Sequence, residues 1–492
     1  MTGQELTVIA PFVAAIAAAI FILFVDLVFP GEKNVAVAAS LLALGVVAAV
    51  AILAHSRVGG GLPGDAFDGA YRLDALTTFL DLLFVSIVAL TIVFAPDYLE
   101  PRGLPVAEFA VVLVFAMSGA MLLAGATDLL LLFLGLELMV LPGYMLAGYH
   151  KTDGYSTEGA IKYFLLGSFS SAIFLFGLAF VWGLTGTTRV AGVADALADV
   201  AAGTVAFSPA LAMGFAFMTT GVAFKIAAVP FHYWTPDAYQ GSPTPVTGYL
   251  SVGPKIGAFA LILRLFVEAL GPLKADWLPI VVILAALTMT VGNLIALTQD
   301  NVKRMLAYSS IAHTGYMLVG LAAFAGGQQS GLEGLLFYGA AYSFMNLGAF
   351  AVIAALQKRA GVTSNLNTFA GLGRRELLLG VLMTLFLLSL TGIPPTAGFF
   401  AKAVVILAAV QAGGWVTFLA VVMMLNAAAA AFYYLRVVVY MFMREPATES
   451  EPPRHGRLLW SGLAVATALT ILLGFFPGLI LGIIGQAAQA IS

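Results

Sequence analysis

Long apolar runs separated by short polar stretches repeat along the whole chain. About fourteen runs are long enough for membrane-spanning helices, because roughly 20 helical residues cross the hydrocarbon core of a bilayer. No polar stretch exceeds the size of a loop; the longest are 55–73, 186–205 and 357–376. The pattern predicts an all-α polytopic membrane protein in which residues 1–492 form a single membrane domain. The predicted spans are 6–29, 35–54, 74–95, 106–125, 128–148, 160–184, 206–230, 243–268, 277–298, 303–325, 332–356, 377–412, 414–443 and 458–485.

Proline interrupts two of these spans. The seventh is interrupted at Pro230, and the twelfth, which is too long for one crossing, contains Pro394 and Pro395 and is interpreted as a single broken helix. Each is the fourth member of a block of five spans, and an odd offset inverts the second block relative to the first. The sequence therefore predicts N-terminal helices 1–3, two inverted five-helix repeats formed by helices 4–8 and 9–13, and a C-terminal helix 14. These units occupy residues 1–105, 106–270, 271–445 and 446–492.

The composition excludes several kinds of site. The chain is 61% hydrophobic and 10% charged, whereas soluble proteins carry about 25% charged residues. It has no cysteine, which excludes thiolate-held iron–sulfur clusters within this chain. Its five histidines are scattered, without metal-ligand spacing. Electron transfer, if any, is therefore expected in a partner, and the net charge of −3 does not suggest a nucleic-acid role.

The basic residues predict the orientation and reveal an anomaly. Loops after odd-numbered spans carry twelve of the 22 Lys and Arg residues, with Lys303 counted among them. Loops after even-numbered spans carry five, with Arg264 counted among them. The positive-inside rule then places the odd-numbered loops in the cytoplasm and both termini on the outer side. Five basic residues remain inside predicted spans: Lys162, Lys225, Lys255, Lys402 and Arg436.

Charged residues inside spans need an explanation, because each costs roughly 2.5–3.5 kcal/mol at mid-bilayer on insertion scales. Glu137 lies near the middle of the fifth span, and a mid-membrane acid usually marks a functional site. Lys225 lies five residues before Pro230, whose ring clashes with the carbonyl of Ile226 and frees it for water. Lys255 follows Pro254 in the eighth span, and Lys402 follows the Pro-Pro break.

Other charged positions leave two interpretations open. Lys162 can form an ordinary pair with Glu158, four residues earlier. Arg436 lies two turns from the basic end of its span and is expected to extend to the membrane interface. Asp81 and His313 are ambiguous, since a lone buried histidine is more often a satisfied polar group than a functional one.

Buried lysines near a carboxylate suggest proton transfer. Burial and a nearby acid shift the proton affinity of an amine in opposite directions, so a lysine between them can load and release a proton near neutral pH. A row of such groups, linked by water and by His232 or His313, can carry protons across a membrane. The sequence shows no nucleophile–base pair, phosphate-binding glycine loop or metal cage.

The stretch from Phe224 to Lys255 resembles a signature of the antiporter-like subunits of proton-pumping NADH:quinone oxidoreductase, respiratory complex I. Further matches run from Asn301 to Tyr316 and from Gly392 to Lys402, and the resemblance covers roughly residues 70–445. Three details separate the chain from the L and M subunits of that family. Lys255 stands where both typically have histidine-rich sequence, Lys402 stands where M usually has glutamate, and the spans lack the long lateral helix of L.

The resemblance implies roles for matching residues. Glu137 is similar to an acid that couples to Lys225, the lysine of an input half-channel; Lys255 is similar to a connecting lysine, and Lys402 to the output lysine of a broken helix. Lys162 matches a lysine common among these relatives.

It also implies a setting. The chain would move protons outward across a bacterial cell membrane, driven by NADH oxidation and quinone reduction in neighbouring subunits. NADH, FMN, iron–sulfur clusters and quinone would bind in those partners, and the chain itself would hold no cofactor or metal. Its neighbours would be other antiporter-like and small membrane subunits. Two alternatives remain: a subunit of a multisubunit Na⁺/H⁺ antiporter, and a non-pumping scaffold whose buried charges orient helices.

Overall fold

The computed structural model describes residues 2–61, 64–358, 361–445 and 454–491, and these residues are almost entirely helical. Residues 446–453 of the predicted C-terminal segment lie outside the described residues. The helices are α1 Gly3–Val28, α2 Lys33–Gly59, α3 Ala75–Phe94, α4 Pro96–Leu99, α5 Val106–Gly125, α6 Leu129–Ala147, α7 Gly154–Thr185, α8 Val190–Ala201, α9 Pro209–Lys225, α10 Trp234–Gly241, α11 Thr244–Leu250, α12 Gly253–Ile262, α13 Lys274–Ala296, α14 Val302–Ala325, α15 Ser330–Leu356, α16 Leu372–Arg375, α17 Leu377–Thr391, α18 Ala397–Ala412, α19 Gly414–Met443, α20 Arg457–Phe475 and α21 Gly478–Gln489.

Shorter elements connect them. A π-helical segment, Leu263–Ala269, continues α12, and 3₁₀ turns cover Glu100–Arg102, Gly271–Leu273 and Leu366–Phe369. An antiparallel hairpin, β1 Asp65–Ala66 and β2 Tyr71–Arg72, closes the chain between α2 and α3.

The prediction of a polytopic all-α membrane protein is confirmed. Within the described residues, eleven helical stretches are long and apolar enough to cross a membrane. The three remaining predicted spans correspond to α9 with α10, to α14, and to α17 with α18. Every predicted span thus coincides with one helix or with consecutive helices separated by a break.

Several boundaries differ from the prediction. The seventh span does not end at residue 230 but continues after its break as α10. The eighth span is itself divided between α11 and α12, and Pro254 lies in the first turn of α12, where proline is tolerated. The last span is divided at Pro477. Helix α8 occupies the stretch expected to be a loop, and it buries Val190, Val193 and Leu197 along one face.

The two predicted breaks have different local causes. After α9, Ala227 adopts a left-handed conformation with φ of 57°, and the peptide bond before Pro230 is cis. After α17, Gly392 adopts φ of 93°, a conformation that glycine takes without a Cβ penalty, and the bond between Pro394 and Pro395 is cis. The backbone at each break is held by side chains: the Val229 amide donates to Thr288 Oγ1 (3.0 Å) and the Gly398 amide to Ser389 Oγ (3.2 Å).

The centre of the bundle is formed by α14 and α15, in which nearly every residue is buried. Helix α14 packs against α10, α13, α15, α18 and α19, so it touches an element of both broken helices. The outer helices, such as α1, α2 and α19, expose large apolar side chains, as expected for surfaces that face lipid or neighbouring subunits. The polar residues of α14 therefore lie where the two halves of the chain meet.

Candidate functional site

Glu137 and Lys225 form an ion pair between α6 and the end of α9. Lys225 is buried, its Nζ lies 4.0 Å from Glu137 Oε1, and it donates a hydrogen bond to Ser171 Oγ of α7 (2.8 Å). Glu137 Oε1 has no hydrogen-bond partner among the described residues, and the Glu137 side chain is 22% exposed. Charge alone therefore holds this carboxylate to the lysine, and its separation from the lysine can change without breaking a hydrogen bond.

The break beside Lys225 is occupied by protein groups. The Ile226 carbonyl, which the sequence left for water, accepts a hydrogen bond from Thr314 Oγ1 of α14 (2.9 Å). The indole N–H of Trp234 donates to the Phe224 carbonyl (3.1 Å). His232 is buried in the same break against the Tyr233 ring, and its Nδ1 has no hydrogen-bond partner among the described residues.

Lys255 lies on α12 and is fixed to α14. Its Nζ donates to the carbonyl of Ser310 (2.5 Å) and to Ser310 Oγ (2.6 Å), and it stands 5.7 Å from the centre of the Tyr342 ring. The Ser310 carbonyl also accepts from Thr314 Oγ1 (3.2 Å). Thr314 therefore connects the break beside Lys225 with the carbonyl that holds Lys255.

His313 stands between Lys255 and the second broken helix. One ring nitrogen, Nδ1, hydrogen-bonds Tyr338 Oη (2.7 Å), and Nε2 hydrogen-bonds Tyr434 Oη (3.2 Å). Its ring contacts Tyr342 at 4.9 Å and Tyr316 at 5.4 Å between centroids. Both ring nitrogens of His313 are therefore hydrogen-bonded. The ring also lies between Lys255 and Lys402, where a group that relays protons between them would have to lie.

Lys402 lies on α18, after the second break. Its Nζ donates to the carbonyls of Leu390 (2.9 Å) and Thr391 (2.7 Å) at the end of α17. It also lies 5.0 Å from the centre of the Tyr316 ring, which touches His313 on its other side. Among the described residues, no carboxylate forms an ion pair with Lys402.

These groups form one buried row. Two tyrosine rings, Tyr342 and Tyr316, connect Lys255, His313 and Lys402. Amines, imidazoles and hydroxyls can each give up a proton and take another, so the row contains the group types that proton transfer requires.

Lys162 lies apart from this row. Its side chain is 43% exposed, and its Nζ pairs with Glu158 Oε1 and with Asp237 Oδ2, both at 2.7 Å. Asp237 in turn pairs with Arg304 (2.7 Å). The local pair with Glu158 that the sequence left open is therefore present, within a larger surface cluster.

The sequence misassigned two buried cations as loop residues. Arg264 is fully buried and pairs with Asp74 (2.8 Å) and Glu268 (2.5 Å). Lys303 is buried and donates to the Ser242 carbonyl (2.5 Å). Both lie within predicted spans, 243–268 and 303–325, and that position was the available signal. Arg436, which was expected to extend to the membrane interface, contacts the Gln299 carbonyl beyond the end of α13 and lies 3.8 Å from Asp300.

Metal ligands do not cluster in the part of the chain that the structure describes: no three His, Asp or Glu side chains there could together hold an ion.

Comparison with known proteins adds to this geometry. Residues 126–426 match a family described as NADH:quinone oxidoreductase/Mrp antiporter, TM. The chain is 42% identical over 487 residues to NADH-quinone oxidoreductase subunit N of Trichlorobacter lovleyi, covering 99% of this chain and 98% of that protein. It is 40% identical over 486 residues to subunit N of Chloroflexus aggregans, covering 98% and 97%.

Two solved structures are similar to the fold. A chain of respiratory complex I from Thermus thermophilus with bound aureothin has a TM-score of 0.76 and 30% identity, with 96% of this chain and 98% of that chain covered. A chain of the Mrp complex from a Dietzia species has a TM-score of 0.84 over 100% of this chain and 98% of that one, but its identity is 22%, so it supports the fold alone.

Proposed function

The chain belongs to the subunit N family of NADH:quinone oxidoreductase, a proton-translocating membrane subunit, and we propose that protons cross it along Glu137, Lys225, Lys255, His313 and Lys402. The observation that carries the proposal is the contact of α14 side chains with both Lys255 and Lys402. If the buried amines served only to orient helices, they would not need to be connected to one another through α14.

The first step is a change in the Glu137–Lys225 pair. The pair is separated by 4.0 Å, and a carboxylate beside a lysine favours its charged form. When the carboxylate moves away, the lysine binds its proton less tightly and passes it toward Lys255. The partial exposure of Glu137 in this chain supports a neighbouring subunit as the source of that movement.

The middle of the path is carried by α14. The proton passes from Lys255 to His313 and then to Lys402, with the hydroxyls of Tyr338 and Tyr434 orienting the imidazole. His232, at the first break, serves as a second relay group near Lys225. Lys162 and the surface cluster around Asp237 supply protons at the end of the bundle where α7 and α14 begin.

The setting of the path completes the proposal. The chain lies in the bacterial cell membrane with both termini on the outer side, and it moves protons outward. NADH, FMN, iron–sulfur clusters and quinone bind in partner subunits, and this chain contacts neighbouring antiporter-like and small membrane subunits. The exposed apolar faces of its outer helices support such contacts with subunits and lipid.

Replacing Lys225 or Glu137 by alanine tests the path. Either variant is expected to abolish proton translocation by this subunit in the assembled complex, because the ion pair that starts the transfer is lost. The measurement is NADH-driven proton uptake by membrane vesicles, with assembly checked by native electrophoresis. Normal proton uptake by an assembled Glu137→Ala or Lys225→Ala complex would contradict the proposal.

A subunit of a Na⁺/H⁺ antiporter shares the family's fold and is the alternative. The full-length identity of about 40% to subunit N proteins favours complex I. Co-purification separates the two: flavin and iron–sulfur subunits are expected with the chain, whereas small antiporter subunits in their place would support the alternative.

A further inference from the structure

Asn293 is a fully buried amide on α13 that the proposed path does not use. Its Nδ2 donates to the Met289 carbonyl, one turn earlier (2.7 Å), and to Tyr316 Oη of α14 (2.8 Å). Its Oδ1 accepts a hydrogen bond from Tyr433 Oη of α19 (2.9 Å). Both amide N–H groups and the carbonyl oxygen of this side chain are therefore engaged, and the Met289 carbonyl, which can only accept, fixes which end is the nitrogen.

A second amide, Asn426, extends this group toward the face between α13 and α19. Its Oδ1 lies 3.3 Å from Asn293 Nδ2, and its own Nδ2 donates to the Val422 carbonyl (2.9 Å) and to Thr290 Oγ1 (3.2 Å). Amides in an apolar span are costly unless their hydrogen bonds are made. The bridge between α13 and α19 accounts for Asn426, whereas the bond from Asn293 to Tyr316 leads to a third helix, α14.

Tyr316 connects the amide to the buried row. The centre of its ring lies 5.0 Å from Lys402 Nζ and 5.4 Å from the centre of the His313 ring. An aromatic face within about 6 Å of an ammonium stabilises the positive charge. The position of the Tyr316 ring therefore affects how readily Lys402 takes a proton from the side of His313.

The amide and the aromatic neighbours hold this ring in different ways. His313 and Tyr338 contact the ring of Tyr316 at 5.4 and 6.4 Å between centroids, whereas Asn293 holds it by its hydroxyl. A directional hydrogen bond fixes the ring more narrowly than apolar contact does. Without the amide, the buried hydroxyl loses this donor, and the ring can turn away from Lys402.

We propose that Asn293 is a positioning residue for proton transfer, whose amide holds Tyr316 by the hydroxyl so that the ring stays between His313 and Lys402. Asn293 carries no proton itself, because its amide is already a donor on one end and an acceptor on the other. The inference rests on the proposed path through His313 and Lys402, and it adds a residue of α13 that acts on the path through Tyr316.

Counting the protons moved per NADH by the intact complex in sealed vesicles tests this role, with assembly checked by native electrophoresis. Asn293→Leu has nearly the same shape without the amide, and it should lower translocation through this subunit by about three to ten times, because Tyr316 is no longer held in place. Asn426→Leu is the matched control. It removes a buried amide of the same group that does not contact Tyr316, so the proton number should stay unchanged.

A second background separates positioning from packing. In a Tyr316→Phe complex the hydroxyl that Asn293 holds is absent, so adding Asn293→Leu should change the proton number by less than about twofold. An equally large loss in both backgrounds would mean that Asn293 acts by packing, and it would overturn the inference. If Asn293→Leu does not assemble, Tyr316→Phe breaks the same hydrogen bond from the other side, and normal pumping by that variant would overturn the inference.

Lys402→Met in the same vesicles separates this inference from the proposed function. A loss in Lys402→Met together with normal pumping by assembled Asn293→Leu overturns the positioning role alone. Normal pumping by Lys402→Met overturns the path itself, and the positioning role with it.

Discussion

The two broken helices present their lysines to different kinds of partner. Lys225 is the last residue before the first break, and it faces side chains, the Glu137 carboxylate and the Ser171 hydroxyl. Lys402 lies after the second break, and it faces the backbone carbonyls of Leu390 and Thr391. The same residue type is therefore balanced by a mobile charge in one half and by fixed dipoles in the other.

This difference suggests a division of labour. Carbonyls at the end of a helix carry partial negative charge that cannot leave, because the backbone holds it in place. The Glu137 carboxylate is partly exposed and has an oxygen without a hydrogen-bond partner in the described chain, so it can move. We infer that the first break receives the signal from the neighbouring subunit, and that the second break releases the proton passively.

An effect comparable to that of Lys225→Ala is expected from Lys255→Met, which removes the only amine between the two breaks in the proposed row. Proton translocation through this subunit should fall by at least about a hundredfold, the scale on which positioned acid–base groups act. Assembly should persist, since methionine fills the space and removes a buried charge. The measurement is the number of protons moved per NADH in vesicles, and an unchanged number would show that the two breaks do not communicate through Lys255.

A smaller effect is expected from Glu137→Gln, which keeps the shape of the side chain but removes its charge. Glutamine still presents an oxygen dipole toward Lys225, which Glu137→Ala removes together with the charge, so we expect translocation to fall by roughly tenfold rather than to vanish. The second break offers no equivalent variant, because Lys402 is held by the backbone carbonyls of Leu390 and Thr391, which no substitution removes. If Glu137→Gln pumped normally, the first break would be no more adjustable than the second.

Replacing each histidine by phenylalanine contrasts the two regions directly. His313→Phe keeps the aromatic contacts with Tyr316 and Tyr342 but removes both hydrogen-bonding nitrogens, so translocation should fall several-fold, by about five to ten times. His232→Phe should have a weaker effect, because Nδ1 of that ring has no partner in the described chain. Proton uptake by vesicles, at matched NADH oxidation rates, measures the effect of each variant. A larger loss in His232→Phe would show that His232 contributes more to proton transfer than His313 does.

The smallest effect concerns the anchoring of the second broken helix, outside the membrane spans. His455 hydrogen-bonds Glu376, the residue before α17, and lies 3.7 Å from Asp97. Burial lowers the pKa of His455, but hydrogen bonds and the charges of Asp97 and Glu376 outweigh it and raise the pKa to about 9.

The sign of the pH dependence follows from this raised pKa. The stabilisation by His455 is fully present below its ordinary pKa of 6.5 and is lost as pH rises through about 9. His455→Gln should therefore lower the thermal stability of the complex slightly, by at most about 1 kcal/mol, near neutral pH and not at all above about pH 10. A difference that persists at high pH would indicate lost packing rather than a lost ion pair.

How far the sequence predicts this arrangement depends on the kind of contact. Lys225, Lys255 and Lys402 are visible in the sequence because a charge is rare in an apolar span. The partners of His313 are not, because Tyr338 and Tyr434 come from helices far apart in the chain. The Ile226 carbonyl was predicted to be free, but its partner, Thr314, is likewise distant in sequence.

Two misassigned elements did carry a signal in the sequence. Val190, Val193 and Leu197 of α8 are spaced as on one face of a helix, and Pro477 lies where the last span is divided. Arg264 was predicted to lie in a loop, but its ion pairs with Asp74 and Glu268 hold it inside the bundle.

The most direct test of the account compares two buried lysines that both donate to backbone carbonyls. Lys402 lies in the row and contacts Leu390 and Thr391, whereas Lys303 lies outside the row and contacts Ser242. The measurement is the number of protons moved per NADH by Lys402→Met and Lys303→Met complexes in sealed vesicles. The account predicts a loss in Lys402→Met and a normal number in assembled Lys303→Met. Normal pumping by Lys402→Met would show that the buried lysines only orient the helices, and it would contradict the account.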